Sequence, residues 1–450
     1  MRAYLANPIG VACAVSLILP ASTASAAAAA ITPAPALALA PAPASAPAPA
    51  VPGSTESVPL HLLTTVRSPG AVAEQGLAAH GVRPFSLLGV VWDDADDELR
   101  GTVQVRTRAA GTRLWSDWQD VETHNQEHGA DPGTRERESE TVRGSTAPLW
   151  VGGSDGVEVR VRAVREDDGT GGEATGEAND EATGPARPLL PRGLRLELVD
   201  PGEDPALTKA QTEAGTQAGT QAGTQAGTQA ETQAGTQAGT EITGAAPRAY
   251  AAPRPRIVTR KGWGADESLR ERKFVYTSTV KAAFVHHSAT GNNYTCAQAP
   301  SVLRGIYRYH VKSSGWRDFG YNFAVDKCGN IYEGRAGGVT KPVLGAHTLG
   351  FNTSTTGIAV LGTYNSVNPP AKATTALAKL IAWKLGLHGV NPRSKVTLKS
   401  GGSGKYAKGR RVSLHTVSGH RDGFNTDCPG GRLYAKLGAV RTSAAGYQGR

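Results

Sequence analysis

Apart from a short apolar stretch near its start, the chain has no unbroken run of about 18 apolar residues, the length a membrane-spanning helix requires. No membrane anchor is therefore visible. Cysteine is sparse: Cys13, Cys296, Cys328 and Cys428 are the four present. Loss of the first with a leader leaves an odd number, which excludes an all-disulfide account and gives one thiol another use. One pair plus one metal ligand satisfies the count. Aliphatic residues are thin over much of the first half of a chain that carries 55 Gly and 28 Pro. Such stretches bury too little apolar surface to offset the entropy of ordering, so the 450 residues hold fewer folded domains than length alone suggests. Acidic residues are scarce in the second part: 251–450 hold 8 Asp+Glu against 30 Lys+Arg. The first 250 residues hold 31 against 18. The overall +9 thus hides an acidic half joined to a strongly basic one.

What is present divides the chain. Residues 1–26 read as a secretory signal: Arg2, the apolar core Ile9–Pro20, then Ala24-Ser25-Ala26 for cleavage. Residues 27–53 are almost pure Ala and Pro and read as an extended spacer. Residues 54–200 alternate as strands in Thr102–Arg106, Val157–Val161 and Leu194–Leu198, and Ser86–Trp92 reads as a more fully buried strand. Gly- and Asp-rich turns separate them, which predicts a small all-β, sandwich-like domain. Within it Trp115 and Trp118 read as strand packing in preference to a sugar platform. Asp93-Asp94-Ala95-Asp96-Asp97-Glu98 lacks EF-hand spacing and reads as an acidic turn. Residues 165–187 are polar and acidic, and 201–253 carry a Thr-Gln-Ala-Gly repeat with nothing to form a core; both are expected to be disordered. Residues 254–440 alternate strands (Ala282–His287, Thr356–Gly362) with helical spacing (Ser301–Lys312, Ala373–Leu385) and a hairpin around Cys328-Gly329. This predicts an α/β layer structure with a mixed central β-sheet flanked by helices. Val396–Leu414 reads as an exposed basic hairpin. The basic half attracts polyanions. Export directs that attraction to anionic wall polymers and makes nucleic acid an unsuited partner.

Seven of the eleven His lie in the last domain. Three short runs carry candidate metal donors: Val285-His286-His287-Ser288, Gly419-His420-Arg421-Asp422 and Thr426-Asp427-Cys428-Pro429-Gly430. Imidazole and thiolate are the usual donors to zinc, and three protein ligands leave a fourth position open for water. Adjacent strand residues face opposite ways, so only one of His286 and His287 can serve.

Over 257–437 these runs fall in order with Trp316–Phe323 (WRDFGYNF), Ile331–Arg335 (IYEGR), Gly345–Thr348 (GAHT), Gly350–Asn352 (GFN) and Gly357–Gly362 (GIAVLG). This segment resembles the peptidoglycan recognition protein and type-2 N-acetylmuramoyl-L-alanine amidase family, and the whole layout is similar to exported actinobacterial members. The resemblance implies a zinc amidase that cuts the amide between N-acetylmuramic acid and L-alanine in peptidoglycan. It implies His286, His420 and Cys428 as metal ligands, with His287 facing away into packing. Tyr321 and Thr426 match the catalytic positions, as donors near the oxyanion with a proton-relay role open for Tyr321. His310, His347 and Asn352 match the family's substrate-binding cleft, and Arg421 can meet a carboxylate bidentately or form a structural ion pair. Members without the Cys bind and do not hydrolyse, which leaves a recognition module as the second reading. After Arg335 the chain departs from the family with Ala-Gly-Gly-Val and an insertion before Gly345. Relatives distinguish diaminopimelate from lysine stems in that neighbourhood, so stem preference stays open. Cys296 and Cys328 are left over, and a disulfide between them is expected. A monomer, secreted and associated with the cell wall, completes the expectation. The opposite charges of the two halves permit an intramolecular contact that keeps activity latent.

Overall fold

The computed structural model of the chain describes residues 52–63, 74–164, 190–203 and 250–450. The leader, nearly all of the Ala/Pro spacer, the 165–187 stretch and the repeat lie outside the described residues.

The first body is all β. Its strands are β1 (Ser54–Pro59), β2 (His61–Leu62), β3 (Glu74–Trp92), β4 (Gly101–Ala109), β5 (Gln119–Val121), β6 (Gly144–Ser145), β7 (Leu149–Ala163) and β8 (Arg195–Asp200). Among the described residues they form one sheet in the order β1-β8-β3-β7-β4-β5, with β2 and β6 also on β3. The pairings are antiparallel. β4 shows the expected alternation, Val103, Val105 and Thr107 inward with Gln104 and Arg106 between them. Register shifts between β3 and β7 at Leu77/His80 and Gly81/Phe85 mark bulges, which bend long strands. One sheet can therefore supply a common core from β3, β4, β7 and β8. Trp115 and Trp118 lie against guanidinium groups: Arg160 stands 4.1 Å over the Trp118 ring and Arg106 5.5 Å over Trp115.

Leu87–Trp92, the end of β3, is buried on both faces, and the two faces have different partners. Leu88, Val90 and Trp92 enter the core of the first body. Leu87 and Val91 pack instead with residues of the second body. The run is not alternating because neither face meets water.

That second body contains β9 (Ile257–Val258), β10 (Ala282–His287), α1 (Ala299–Arg308), β11 (Phe323–Val325), β12 (Ile331–Glu333), β13 (Thr355–Val360), α2 (Ala371–Gly386), β14 (Lys395–Lys399), β15 (Arg411–His415), β16 (Val417–Gly419), α3 (His420–Gly423), α4 (Gly431–Tyr434) and α5 (Leu437–Tyr447). Its main sheet has the order β16-β10-β13-β11-β12-β9 among the described residues. β10 runs parallel to β13 and β16, while β11 and β12 form the antiparallel hairpin around Cys328-Gly329. β14 and β15 make a separate antiparallel ribbon. Leu377, Leu380 and Ile381 of α2 and Val440 and Ala444 of α5 cover one face of the sheet. The other face meets α1 through Leu303, Ile306 and Tyr307. The fold is thus α/β with a mixed sheet, preceded by an all-β body. Cys296, just ahead of α1, is bonded to Cys328 in the hairpin with 6.2 Å between Cα atoms. Closing that loop contributes roughly 3 kcal/mol. Among the described residues no helix is long and apolar enough to cross a membrane.

Pro300 fits the first turn of α1, where its missing N–H costs nothing. The helix ends at Arg308 and gives way to a π-turn over Tyr309–Ser313. Tyr309 leaves this turn toward the first body, and its hydroxyl donates to the Thr146 carbonyl at 3.1 Å. It lies over Gly89, on the same face of β3 as Leu87 and Val91. A Cβ at Gly89 would stand 2.3 Å from the Tyr309 hydroxyl oxygen, so the close approach of the bodies requires glycine there. Gly89→Val is expected to cost about 1–3 kcal/mol through overpacking and to uncouple the bodies. Calorimetry should show one thermal transition for the native chain and two for the variant; an unchanged single transition contradicts this packing.

Candidate metal centre and the cleft around it

β10 is buried at every position and lies between two parallel neighbours. It therefore carries its terminal pair of histidines into the interior. Alternation sends His286 and His287 to opposite faces. The His286 Nδ1 lies 3.7 Å from the Cys428 Sγ. Its Nε2 faces His347 Nδ1 at 3.2 Å and Thr348 Oγ1 at 3.4 Å. His287 takes the Tyr364 backbone N–H on Nδ1 at 3.4 Å. His420 opens the short α3 directly after β16, and its ring centroid is 4.6 Å from that of His286. Cys428 follows on a loop that Thr426 braces by accepting the Cys428 N–H on its hydroxyl at 3.1 Å. Among the described residues Cys428 is the free thiol, and it is buried.

A fourth donor comes from the other body. His128 sits between β5 and β6, 300 residues before Cys428, with its Nε2 4.0 Å from the Cys428 Sγ. Its ring meets His420 edge-on at 4.5 Å. One donor atom from each of His128, His286, His420 and Cys428 lies within 4.8 Å of all the others.

This set suits one divalent metal. Thiolate and imidazole donors at their usual bond lengths sit about 3.3–3.6 Å apart around a tetrahedral ion, close to the 3.7 and 4.0 Å found here. Neither ring nitrogen of His420 and not Nδ1 of His128 has a hydrogen-bond partner, an uncommon state for buried polar atoms. Burial holds His286 and His420 well below the usual imidazole range and His128 down at about 3. The same desolvation raises the Cys428 thiol. Neutral imidazoles are what a metal takes, and an ion would compensate the thiolate. His347 and Thr348 meet the far ring nitrogen of His286, where a ligating histidine takes an orienting hydrogen-bond partner.

The other predicted residues fall around this centre. The Tyr321 ring lies 5.2 Å from His286 and 5.6 Å from His128, and burial pushes its hydroxyl well above the ordinary phenol range. Thr426 donates to Glu127 Oε1 at 2.7 Å. His310 is stacked on Trp316 at 4.5 Å and accepts the Gly320 N–H on Nδ1 at 3.1 Å. His347 is buried behind His286 and Asn352 is buried beside it; the Asn352 Oδ1 accepts the His347 N–H at 2.7 Å. Arg421 pairs with Asp427 at 3.7 Å and covers the Tyr434 ring at 5.0 Å. The structure therefore gathers His286, His420, Cys428, Tyr321 and Thr426 at one point, with His347 and Asn352 behind it and Arg421 toward the rim.

Sequence reasoning did not find His128 or its neighbours. Residues 122–143, between β5 and β6, lie along the second body. Gly129 O and the Asp131 carboxylate accept from Asn352 Nδ2 at 2.8 and 2.7 Å. Asp131 also takes the Gly350 N–H at 2.8 Å. Glu136 receives Arg335 bidentately at 2.7 and 2.9 Å. Nothing in the spacing of Glu127-His128-Gly129 marks a ligand. The available signal was length: a 22-residue connection within a compact β domain is unusual and commonly functional.

A mixed sheet thus carries histidines and a buried thiol together at the end of β10, a donor set of the kind that holds a metal, and similarity to known proteins places the chain in a family. Residues 276–431 match the N-acetylmuramoyl-L-alanine amidase family, and 41–188 match the family described as Rv3811 N-terminal galactose-binding domain-like. Peptidoglycan-recognition protein SC2 of Drosophila simulans is 30% identical over 181 residues, 40% of this chain and 84% of that one. Peptidoglycan recognition protein 1 of Bos indicus is 31% identical over 179 residues, covering 40% and 80%. Among solved structures, Drosophila PGRP-LB is 26% identical, with 41% of this chain and 93% of that chain covered at a TM-score of 0.33. The chain belongs to the peptidoglycan recognition protein and type-2 amidase family.

Two outcomes follow from this geometry. The purified chain should bind one divalent metal, and Cys428→Ser should lower its occupancy by at least about tenfold in elemental analysis; equal occupancy contradicts the assignment. Arg335→Ala removes the bidentate partner of the buried Glu136 carboxylate and leaves it only Arg317, through its N–H at 3.3 Å and its guanidinium at 4.0 Å; this should cost up to about 3–5 kcal/mol in denaturant unfolding. A loss under 1 kcal/mol, the scale of exposed ion pairs, argues against it.

Proposed function

We propose that the chain is a zinc-dependent N-acetylmuramoyl-L-alanine amidase, exported and acting on peptidoglycan in or near the cell wall. The observation that supports this best is the joint placement of His286, His420 and Cys428 with Tyr321 and Thr426 at one buried point. When bound, zinc supplies Lewis acidity at the scissile carbonyl and acidifies water.

The chain's own residues supply the rest. His347 and Thr348 hold His286 in one ring orientation. Tyr321, kept protonated by burial, can donate its hydroxyl proton to a developing oxyanion, and Thr426 offers a second hydroxyl two residues before Cys428. Apolar packing of Phe319 against Tyr321 at 6.0 Å fixes the phenol. The buried walls exclude water and so strengthen these dipoles. The basic balance of residues 251–450 attracts anionic wall polymers to this half of the chain.

One observation favours the second reading, a recognition module with little hydrolysis. Four protein donors around one point, as here, are the pattern of a closed metal site, whereas a catalytic one keeps a position open.

Incubation with peptidoglycan and detection of new L-alanine amino termini separates the two. The assay should include Glu136→Arg, which repels Arg335 and loosens the 122–143 segment, so that a filled cleft is not mistaken for an inactive one. Release is expected that stops on chelation and in Cys428→Ala. Tyr321→Phe should slow it about 10²–10³-fold. No release from either form with zinc bound supports recognition without hydrolysis.

A further inference from the structure

We propose that residues 122–143 of the first body are a built-in plug of the cleft, with His128 occupying the metal position that a substrate or water would otherwise use. The inference rests on the metal assignment made above and is independent of whether the site hydrolyses anything.

Each part of the segment engages a different part of the cleft. Glu127 accepts the Thr426 hydroxyl at 2.7 Å, so one of the two candidate catalytic hydroxyls is committed to a side chain of the same molecule. The Glu127 carbonyl takes the Leu349 N–H at 2.9 Å. Asp131 covers Asn352 and the Gly350 N–H. Glu136 caps Arg335. Beyond them the Thr141 hydroxyl donates to Gly315 O at 3.0 Å and the Arg143 N–H to Ser314 O at 3.1 Å. These contacts follow the wall from the metal centre outward over the length of the segment. They use Glu127, Asp131 and Glu136 from the acidic half against polar and cationic groups of the basic half.

The fit leaves little room. The space remaining beside Cys428, between Glu127, His128, His287, Tyr321 and Thr426, is about 10 Å³, at the lower limit for a single water. A sugar with an attached peptide does not fit beside Cys428 while the segment is in place; the larger opening of about 450 Å³ at Arg421, Phe424 and Thr426 is not lined by Cys428 or by the three clustered histidines. Burial of His128 at the cluster is also unexplained by its own domain. Its backbone N–H donates to Asn125 O at 3.0 Å, but its ring Nδ1 has no partner and the ring packs on the rings and thiol of the second body. An imidazole removed from water in this way is costly unless an ion binds it.

The plug is held from its own side as well. Arg137 reaches back to Asp96 and to the Ala95 carbonyl in the acidic turn, so the segment is braced between both bodies. Docking of β3 on α1 sets its height over the cleft. Opening therefore requires the segment to leave its bed, and access is an equilibrium between docked and undocked forms.

Cobalt(II) substitution tests this on the full chain, because its visible and near-ultraviolet bands report donor number and type. Azide and a muramyl tripeptide are the probes. The native chain should show a tetrahedral thiolate site whose spectrum azide leaves unchanged, and should bind the tripeptide weakly. His128→Ala should make the spectrum azide-responsive. Glu136→Arg, which retains all four donors, should show partial azide response and at least about tenfold tighter tripeptide binding, since affinity scales with the open fraction. If the native spectrum responds to azide as His128→Ala does, or Glu136→Arg gains no tripeptide affinity, the plug is wrong while the metal site stands. If neither form takes up cobalt, the metal assignment itself fails and the plug with it.

Discussion

Three imidazoles and one thiol meet at a point that water hardly reaches, and they come from chain segments as much as 300 residues apart. Gathering these groups without compensation is strongly unfavourable, since each loses its hydration and none meets an opposite charge at contact distance. The rest of the architecture is arranged so that they nonetheless converge. β10 is buried on both faces to deliver His286, β16 runs straight into α3 to deliver His420, and the Thr426 turn presents Cys428. The convergence of His128 depends on a separate interface, the docking of β3 against α1 and Tyr309.

That interface makes two bodies into one. Leu87 and Val91 on one face of β3 join a core with Leu303, Ile306 and Tyr307. Gly89 between them admits the Tyr309 hydroxyl. The buried pair Glu136–Arg335 then ties the β5–β6 connection to the second body. A buried ion pair with bidentate geometry contributes more to fixing an arrangement than to net stability, which suits a segment that must sit at one register along a cleft.

Much of this was legible in the sequence, for identifiable reasons. The helix spacing in Ser301–Lys312 and Ala373–Leu385 and the strand alternation in β4 are local patterns, and the structure places α1, α2 and β4 there. The helix over Ser301–Lys312 is cut at Arg308 because its last turn widens to carry Tyr309 across to the first body, a tertiary cause that no local pattern contains. Ser86–Trp92 read as fully buried, but the reason, a second body on its outer face, was invisible. His286, His420 and Cys428 were found through motifs that resemble a known family. His128 was not, because its function depends on contact across bodies and its flanking Glu127 and Gly129 carry no ligand spacing. The charge imbalance between the halves anticipated an intramolecular contact without locating it.

X-ray absorption at the zinc edge on the intact chain tests the central claim most directly, because imidazole rings and a thiolate scatter distinguishably. The account predicts one sulfur at about 2.3 Å and three imidazoles at about 2.0–2.1 Å. One sulfur with two imidazoles and a non-imidazole oxygen would contradict it, and would place His128 outside the metal's coordination.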